Sequence, residues 1–389
     1  MIRKARVLEV RRNTPHQVLS CVITAAPAIT EPSAPYLPGT NCTAVSYPEL
    51  LGEISEGDII QIEVSVLARS LGTGGAAMVL ANETRLPDDN LPHPGHLVKA
   101  RYTPHQKMVL GADEPDSPYY DLLKDAADLG GLPVLVSDLH STLPAIVAGY
   151  KHVRPDSTLA YIQTDGGALP LAYSRVVAEL QSAKLLDATI TCGQCYGGDF
   201  EAVSLPSALL VAALVVRSDA VIVAQGPGNL GTSTRWGFSG ISGAEALRVA
   251  MSLHGQPIGV LRMSNGDKRP RHYGISHHSL TMLTQLDLPP LDVVLPAFNA
   301  ENPAEKPLAE PHGDFAVTVA RQTQVLEQCH RVRRIATDDL YEVLEQFPIR
   351  FSTMGRGLEA DASAFLSAAA AGTYAAKCQA ASRVTGDRP

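Results

Sequence analysis

From about residue 133 onward, short apolar runs alternate with longer amphipathic segments, and this alternation constrains the fold most. The short runs are rich in β-branched residues, as is typical of buried strands. Strands alternating with helices predict an α/β fold, with a mainly parallel sheet covered by helices on both faces. The predicted strands are 133–137, 158–163, 188–191, 220–225, 258–263, 293–296, 332–336 and 350–353. The predicted helices are 143–150, 171–183, 204–217, 244–253, 276–286, 315–329, 337–346 and 361–374.

The first part of the chain has a different pattern, with short β-like runs separated by Pro and Gly clusters. This pattern predicts a small antiparallel β domain over residues 1–110, folded as a barrel or a sandwich. Such a domain could bind a ligand, cover a site, or serve oligomerisation. We expect an α/β ligand-binding domain over 111–381 and a frayed tail over 382–389.

Composition limits the classes of partner. The net charge is −8 and aromatic residues make up 5% of the chain. A nucleic-acid binder needs a broad basic face or stacking aromatics, so we expect no nucleic-acid partner. The apolar run 208–216 is far too short to span a membrane, so we expect no membrane partner and a cytoplasmic location. Six scattered cysteines do not form a disulfide framework.

Polar loops follow five successive predicted strands. Because ligands of parallel sheets bind at the carboxyl ends of strands, we expect these loops to meet at one edge and form the site. The loops are 137–141, 164–167, 192–201, 226–240 and 264–272.

The fourth loop is the richest in glycine, and with its strand it reads AVIVAQGPGNLGTSTRWGFSG over 220–240. A glycine-rich turn after a buried strand lets backbone N–H groups approach an anion. The alternative is a tight structural turn without a ligand. The residues predicted to contact a small anion are Gly226, Gly228, Asn229, Gly231, Thr232, Thr234 and Arg235, with Arg271 from the next loop.

Residues 226–231 match G-x-G-x-x-G, which raises the possibility of a nicotinamide or flavin enzyme. That motif needs a helix opening within it and an acidic residue about 20 positions later. Here a long loop intervenes before the next predicted helix, and Pro227 removes one N–H donor. The sequence therefore assigns no cofactor.

Two adjacent histidines, His277 and His278, open a predicted helix that Ser276 can cap. The positive end of the helix dipole favours neutral imidazoles, which act as bases or metal ligands, although a structural role is the alternative. Their spacing is not H-x-x-x-H, so we exclude two ligands from one helical face and assign no metal ligands. A metal would need His140 or the acidic residues of neighbouring loops. The predicted catalytic residues are Asp165, Asp199, Glu201, His277 and His278.

The runs YIQTDGGALPLAYSR, ATITCGQCYGGDFEAV, GPGNLGTSTRWGFSG and HYGISHHSL resemble an uncharacterised bacterial family of unknown function, DUF3866-like. The resemblance covers nearly the whole chain. Cys192 and Cys195 depart from the family pattern, which weakens a redox interpretation. The resemblance implies the place of a site and no established activity. It carries over onto Asp165, Gly198, Asp199, Glu201, Gly226, Gly228, Gly231, Thr232, Thr234, Gly240, His277 and His278.

These patterns favour an enzyme that acts on a small anionic substrate, phosphorylated or nucleotide-like, by acid–base or metal-assisted chemistry. The alternative is a non-catalytic ligand sensor or a homo-oligomeric assembly protein that uses the same glycine-rich loop.

Overall fold

The computed structural model describes residues 1–12, 14–28, 35–69, 71, 74–89 and 95–385. The chain divides into two compact units. The first comprises Met1–Pro94, Ala100–Met108 and Ala172–Arg175, and the second comprises Gly95–Lys99, Val109–Leu171 and Val176–Pro389. Residues 386–389 of the predicted tail lie outside the described residues.

The first unit contains a closed five-stranded barrel, so the predicted small β domain is confirmed. Its strands are β1 Ile2–Arg12, β2 Gln17–Ala25, β3 Asn41–Ser46, β4 Ile59–Glu63 and β5 Ala77–Asn82, with short helices α1 Pro48–Leu51 and α2 Ser65–Ala68. The order around the barrel is β1-β2-β3-β5-β4. The β3–β5 pair is parallel, while the other pairs are antiparallel. Buried and half-buried residues alternate along most of β2, which places one side of the strand in the barrel core.

The second unit is built on an eight-stranded sheet in which every pair is parallel, as predicted. The remaining strands of the chain are β6 Leu97–Lys99, β7 Lys107–Val109, β8 Pro133–Val136, β9 Leu159–Thr164, β10 Ala188–Thr191, β11 Phe200–Glu201, β12 Ala220–Gln225, β13 Gln256–Val260, β14 Met263–Ser264, β15 Gly274–Ile275, β16 Asp292–Ala297 and β17 Arg331–Ala336. The sheet order is β11-β10-β9-β12-β8-β13-β16-β17, and β14 and β15 form a separate antiparallel pair.

Helices cover the sheet on both faces, and strands β8, β10 and β12 are accordingly buried at every residue. The helices are α3 Tyr120–Leu123, α4 Leu143–Val153, α5 Arg175–Ser182, α6 Leu205–Leu210, α7 Gly243–Ser252, α8 His277–Thr284, α9 Lys306–Ala309, α10 Asp314–Glu327, α11 Leu340–Gln346 and α12 Ala362–Thr385. Helix α12 packs against α4, α11 and six strands, whereas α6, α7, α8 and α10 form a second contacting group. Among the helices of the described residues, none combines the length and apolar character needed to cross a membrane.

One predicted strand is wrong. Residues 350–353 form no strand and make a single bridge, between Thr353 and Arg356. Phe351 and Thr353 are buried while their neighbours are exposed. This loop before α12 therefore has the alternating pattern of buried and exposed residues that is typical of a strand. The eighth strand is instead β11, a two-residue edge strand with too little sequence for a periodic signal.

The backbones of α4 and α12 approach each other closely at two glycines. A Cβ on Gly149 would overlap the carbonyl oxygen of Ala369, and one on Gly372 would overlap that of Ile146. We expect Gly149→Ala to lower the free energy of unfolding by about 1–3 kcal/mol through overpacking, measured by urea denaturation. Gly357→Ala is the control, because the nearest atom to its Cβ would be Phe351 O at 3.7 Å. Equal stability of the two variants would contradict the close approach of the helices.

Candidate functional site

A cavity of about 380 Å³ lies at the carboxyl edge of the sheet, where the loops after β8, β12 and β13 meet. We call it the arginine cavity. Residues 226–231 form one wall, and the cavity is also lined by Arg262, Arg269, Arg271 and His278. The structure thus brings Gly226, Gly228, Asn229, Gly231, Arg271 and His278 of the predicted site together.

Two glycines of the loop meet different requirements. Gly228 has φ +97°, and no heavy atom of the described residues lies within 4 Å of where its Cβ would stand. This backbone conformation therefore favours glycine, and the space that a side chain would occupy at this position is open. Gly226 has no such open space, because a Cβ there would overlap the carbonyl oxygen of Ala168. Gly226 allows the loops after β9 and β12 to pack.

The structure places three predicted contact residues outside the cavity wall: Thr232, Thr234 and Arg235 are exposed and do not line it. The hydroxyls of Thr232 and Thr234 lie 3.0 Å apart, and Thr234 Oγ1 accepts a hydrogen bond from Gly237 N. A bridge between Gly231 and Phe238 closes this turn. The hydroxyls stabilise the loop's own turn.

Asn229 connects the glycine-rich loop to the loop after β8. Its side-chain Nδ2 donates to the carbonyl oxygen of Asp138 at 3.2 Å, and its Oδ1 accepts from Ser239 Oγ at 3.2 Å. Asn229 is thereby a positioning residue for Asp138 and for the end of the loop.

The three arginines of the cavity differ in how their charges are balanced. Arg269 donates two hydrogen bonds to Asp267, at 2.9 and 2.6 Å. Arg262 is 8% exposed and lies 3.8 Å from a carboxylate oxygen of Asp138. Arg271 is exposed, forms no ion pair with any described residue, and donates from Nε to His272 Nε2 at 3.4 Å. The cavity therefore contains one arginine whose charge is free to meet a ligand.

Asp138 is the acidic residue that the sequence reasoning missed, although it lies in the first of the five polar loops. Its side chain is fully buried. Neither carboxylate oxygen has a hydrogen-bond partner among the described residues. One oxygen lies 3.6 Å from His278 Nδ1, and that nitrogen is 3.1 Å from Arg262 Nη1. Asp138, Arg262 and His278 form one charged group beneath the cavity.

Three imidazoles meet at the start of α8. Ser276 caps the helix as predicted, accepting from His278 N at 3.2 Å, and its Oγ lies 2.8 Å from His272 Nδ1. Phe238, from the end of the glycine-rich loop, stacks on His278 with ring centroids 3.9 Å apart. One possible ligand atom from each of His272, His277 and His278 lies within 4.8 Å of the other two.

Two of these rings are held neutral. Burial is the largest cause that lowers the pKa of His272 to about 3, followed by Arg262 and Arg269. Burial, then His278 and Arg271, lowers the pKa of His277 to about 4. Burial is thus the main cause of the neutral form that we expected for His277. The rings of the adjacent His277 and His278 lie with their centroids 4.4 Å apart in the first turn of the helix.

The predicted acidic residues Asp165 and Asp199 lie elsewhere. Asp165 is exposed, accepts from Gln194 N at 3.0 Å, and lines a second cavity of about 440 Å³ together with Glu245. Asp199 accepts from the backbone and the hydroxyl of Thr189 at 2.8 and 2.7 Å, and it lines neither cavity.

Glu201 is buried beneath the sheet edge and also lines neither cavity. It accepts from Thr191 Oγ1 and Gly197 N, both at 2.6 Å, and lies 3.5 Å from Lys99 Nζ. Burial raises the pKa of this carboxyl against the opposing effects of Thr191 and Lys99. Glu201 thereby anchors the turn between β10 and β11.

Cys192 and Cys195 are both buried, and burial raises the pKa of each thiol to about 12. A thiol with so high a pKa carries almost no thiolate at neutral pH, which is the reactive form. Cys192 lines the second cavity.

A family model described as "Protein of unknown function (DUF3866)" matches residues 43–372. The chain belongs to the DUF3866 family. No curated protein matches it. The DUF3866 match begins in β3 and ends in α12, so it includes every residue that lines the arginine cavity and leaves out β1 and β2.

Proposed function

We propose that this protein is an enzyme that acts on a small anionic molecule, phosphorylated or nucleotide-like, bound in the arginine cavity. The observation that carries the proposal is the wall of this cavity, where three arginines face a glycine-rich loop across about 380 Å³. That volume suits a small metabolite.

The loop and the arginines supply complementary contacts. Gly228 presents open backbone, to which an anion can approach closely. Arg271 has an uncompensated guanidinium that can bind phosphate or carboxylate oxygens in a bidentate manner. Arg269 is fixed by Asp267, which also pairs with Arg356 at 3.3 Å. A fixed donor lowers the entropy lost when the anion binds.

His278 is the acid–base group in this proposal, because it lines the cavity, and its Nδ1 lies 3.1 Å from Arg262 Nη1 and 3.6 Å from Asp138. For Nε2 to take a proton, Nδ1 must carry its own hydrogen. Arg262 then shifts from Nδ1 to the Asp138 carboxylate, which accepts from Nδ1–H and stabilises the imidazolium. Asp199 and Glu201 have no part here, since both are hydrogen-bonded within the loop after β10.

Native mass spectrometry of freshly purified protein tests the proposal. We expect a bound phosphorylated or carboxylated metabolite that is retained by Arg235→Gln and lost from Arg271→Gln. Incubation of the protein with the identified metabolite then separates an enzyme from a sensor, because a sensor returns its ligand unchanged. Equal ligand content in the two variants would contradict the assigned cavity. The same spectra count the chains in the assembly and test the expected homo-oligomer.

A further inference from the structure

Three histidine side chains converge beside the arginine cavity, on the chain segment from the turn before β15 to the first turn of α8. We propose that His272, His277 and His278 bind a single divalent transition-metal ion of the zinc class. One nitrogen from each ring lies within 4.8 Å of the others. This inference goes beyond the proposed function and is tested with the metal alone.

The rings are positioned as metal-binding imidazoles are. His272 Nδ1 lies 2.8 Å from Ser276 Oγ, and its Nε2 accepts a hydrogen bond from Arg271 Nε at 3.4 Å, which metal binding at Nε2 would have to displace. His277 Nε2 is buried and has no hydrogen-bond partner among the described residues. A buried imidazole nitrogen without a partner carries a desolvation cost, which a metal bond would offset.

Asp138 supplies the second independent observation. Its carboxylate is fully buried, has no hydrogen-bond partner among the described residues, and lies 3.6 Å from His278 Nδ1. Metal-bound imidazoles usually donate their other N–H to such a carboxylate. Metal binding through His278 Nε2 would therefore turn Nδ1–H toward Asp138 and shift Arg262 from Nδ1 to the carboxylate.

The donor set points to the metal class. Three imidazoles suit zinc and its neighbours, whereas Mg²⁺ and Ca²⁺ prefer oxygen ligands. Tetrahedral zinc with Zn–N bonds near 2.0–2.1 Å needs ligand atoms about 3.3 Å apart, so side-chain rotation must close the present separations by roughly 1.5 Å.

Nearby charges set the expected affinity. Arg262 and Arg271 oppose a dication, and Asp138 offsets one of these charges. We therefore expect Asp138→Asn to weaken metal binding. Three imidazole ligands leave the fourth coordination position open to water or to an anion that also contacts Arg271. A metal bound here would take His278 out of the proton-transfer role and supply an activated water in its place.

The test uses metal-stripped full-length protein. We expect Co²⁺ to give the visible absorption of a tetrahedral site, and Zn²⁺ to remain after gel filtration at one ion per chain by elemental analysis. His277→Gln should weaken binding at least about tenfold. His254→Gln is the matched control, because His254 is an exposed histidine that contacts Asp128 at 3.3 Å and is no part of the cluster. Substoichiometric metal in the wild type, or equal loss in both variants, would overturn the proposal.

Zinc-edge X-ray absorption of the wild-type protein covers the case in which His277→Gln does not fold. A coordination shell containing three imidazoles supports the site, and one with fewer than three contradicts it. Binding of inorganic phosphate to metal-stripped protein is measured in parallel. Phosphate binding without metal binding would refute the metal site and leave the anion site standing.

Discussion

Inorganic phosphate is expected to lose at least tenfold in affinity when Gly228 is replaced with valine, while the protein stays folded. Gly228 has φ +97°, which a β-branched residue adopts only under strain. The loop would relax and turn its N–H groups away from the anion. Hydrogen bonds to charged groups contribute about 1.5–3 kcal/mol each, so the loss of one corresponds to about tenfold or more. Calorimetric titration measures the affinity.

The control for this variant is Gly57→Val in the barrel unit. Gly57 has φ +88° and also has no described atom within 4 Å of its Cβ position, so the strain is matched. Each substitution should lower the free energy of unfolding by about 1–3 kcal/mol. Only Gly228→Val should bind phosphate more weakly than the wild-type protein. If both variants bound phosphate like the wild type, the glycine-rich loop would have no role in the site.

Lys99→Met is expected to have the largest effect on stability. Lys99 is buried, lies 3.5 Å from Glu201, and donates to the carbonyl oxygens of Cys195 and Ala202 at 3.0 and 2.7 Å. Its removal leaves a buried carboxylate without its cation, which costs about 3–5 kcal/mol near neutral pH. Urea denaturation measures the change in the free energy of unfolding.

The Lys99→Met deficit should depend on pH. Burial raises the pKa of Glu201 above its ordinary value, and loss of Lys99 raises this pKa further. The folded variant then binds a proton more readily than the unfolded chain, so its stability falls as pH rises through the folded pKa. We expect a smaller deficit at pH 5 than at pH 8. The double variant Lys99→Met/Glu201→Gln should recover much of the lost free energy of unfolding, because it removes the unpaired carboxylate. If the stability deficit of Lys99→Met did not depend on pH, the ion pair would be contradicted.

Much of the architecture could be predicted from periodicity. The predicted strands at 188–191 and 220–225 coincide with β10 and β12, because each is a short run rich in β-branched residues that is followed by a polar loop. The parallel arrangement followed from the alternation with helices, and it led to the expectation that the loops share one edge. The glycine-rich loop and His278 do line one cavity.

The strand order, by contrast, could not be predicted. Strand β12 pairs with β8, and β8 pairs with β13, so loops far apart in the sequence become neighbours. This order brings Asp138 to Arg262 and His278. No spacing along the chain encodes such a group, since Asp138 follows β8, Arg262 follows β13 and His278 lies in the first turn of α8.

Residue type alone also did not distinguish binding residues from structural ones. Asp199 and Thr234 have the chemistry of ligand-binding residues, but their oxygens accept hydrogen bonds from the backbone of Thr189 and Gly237. Short polar side chains in loops commonly bond to nearby backbone groups. Only the position of those backbone groups shows which oxygens remain free.

The anion site is the central claim, and anomalous diffraction from crystals soaked in tungstate tests it most directly. Tungstate imitates phosphate in shape and charge and scatters anomalously. We predict a peak between the backbone of Gly228 and the guanidinium of Arg271, and its loss in Arg271→Gln. A peak at a different place, or one that persists unchanged in Arg271→Gln, would contradict the site.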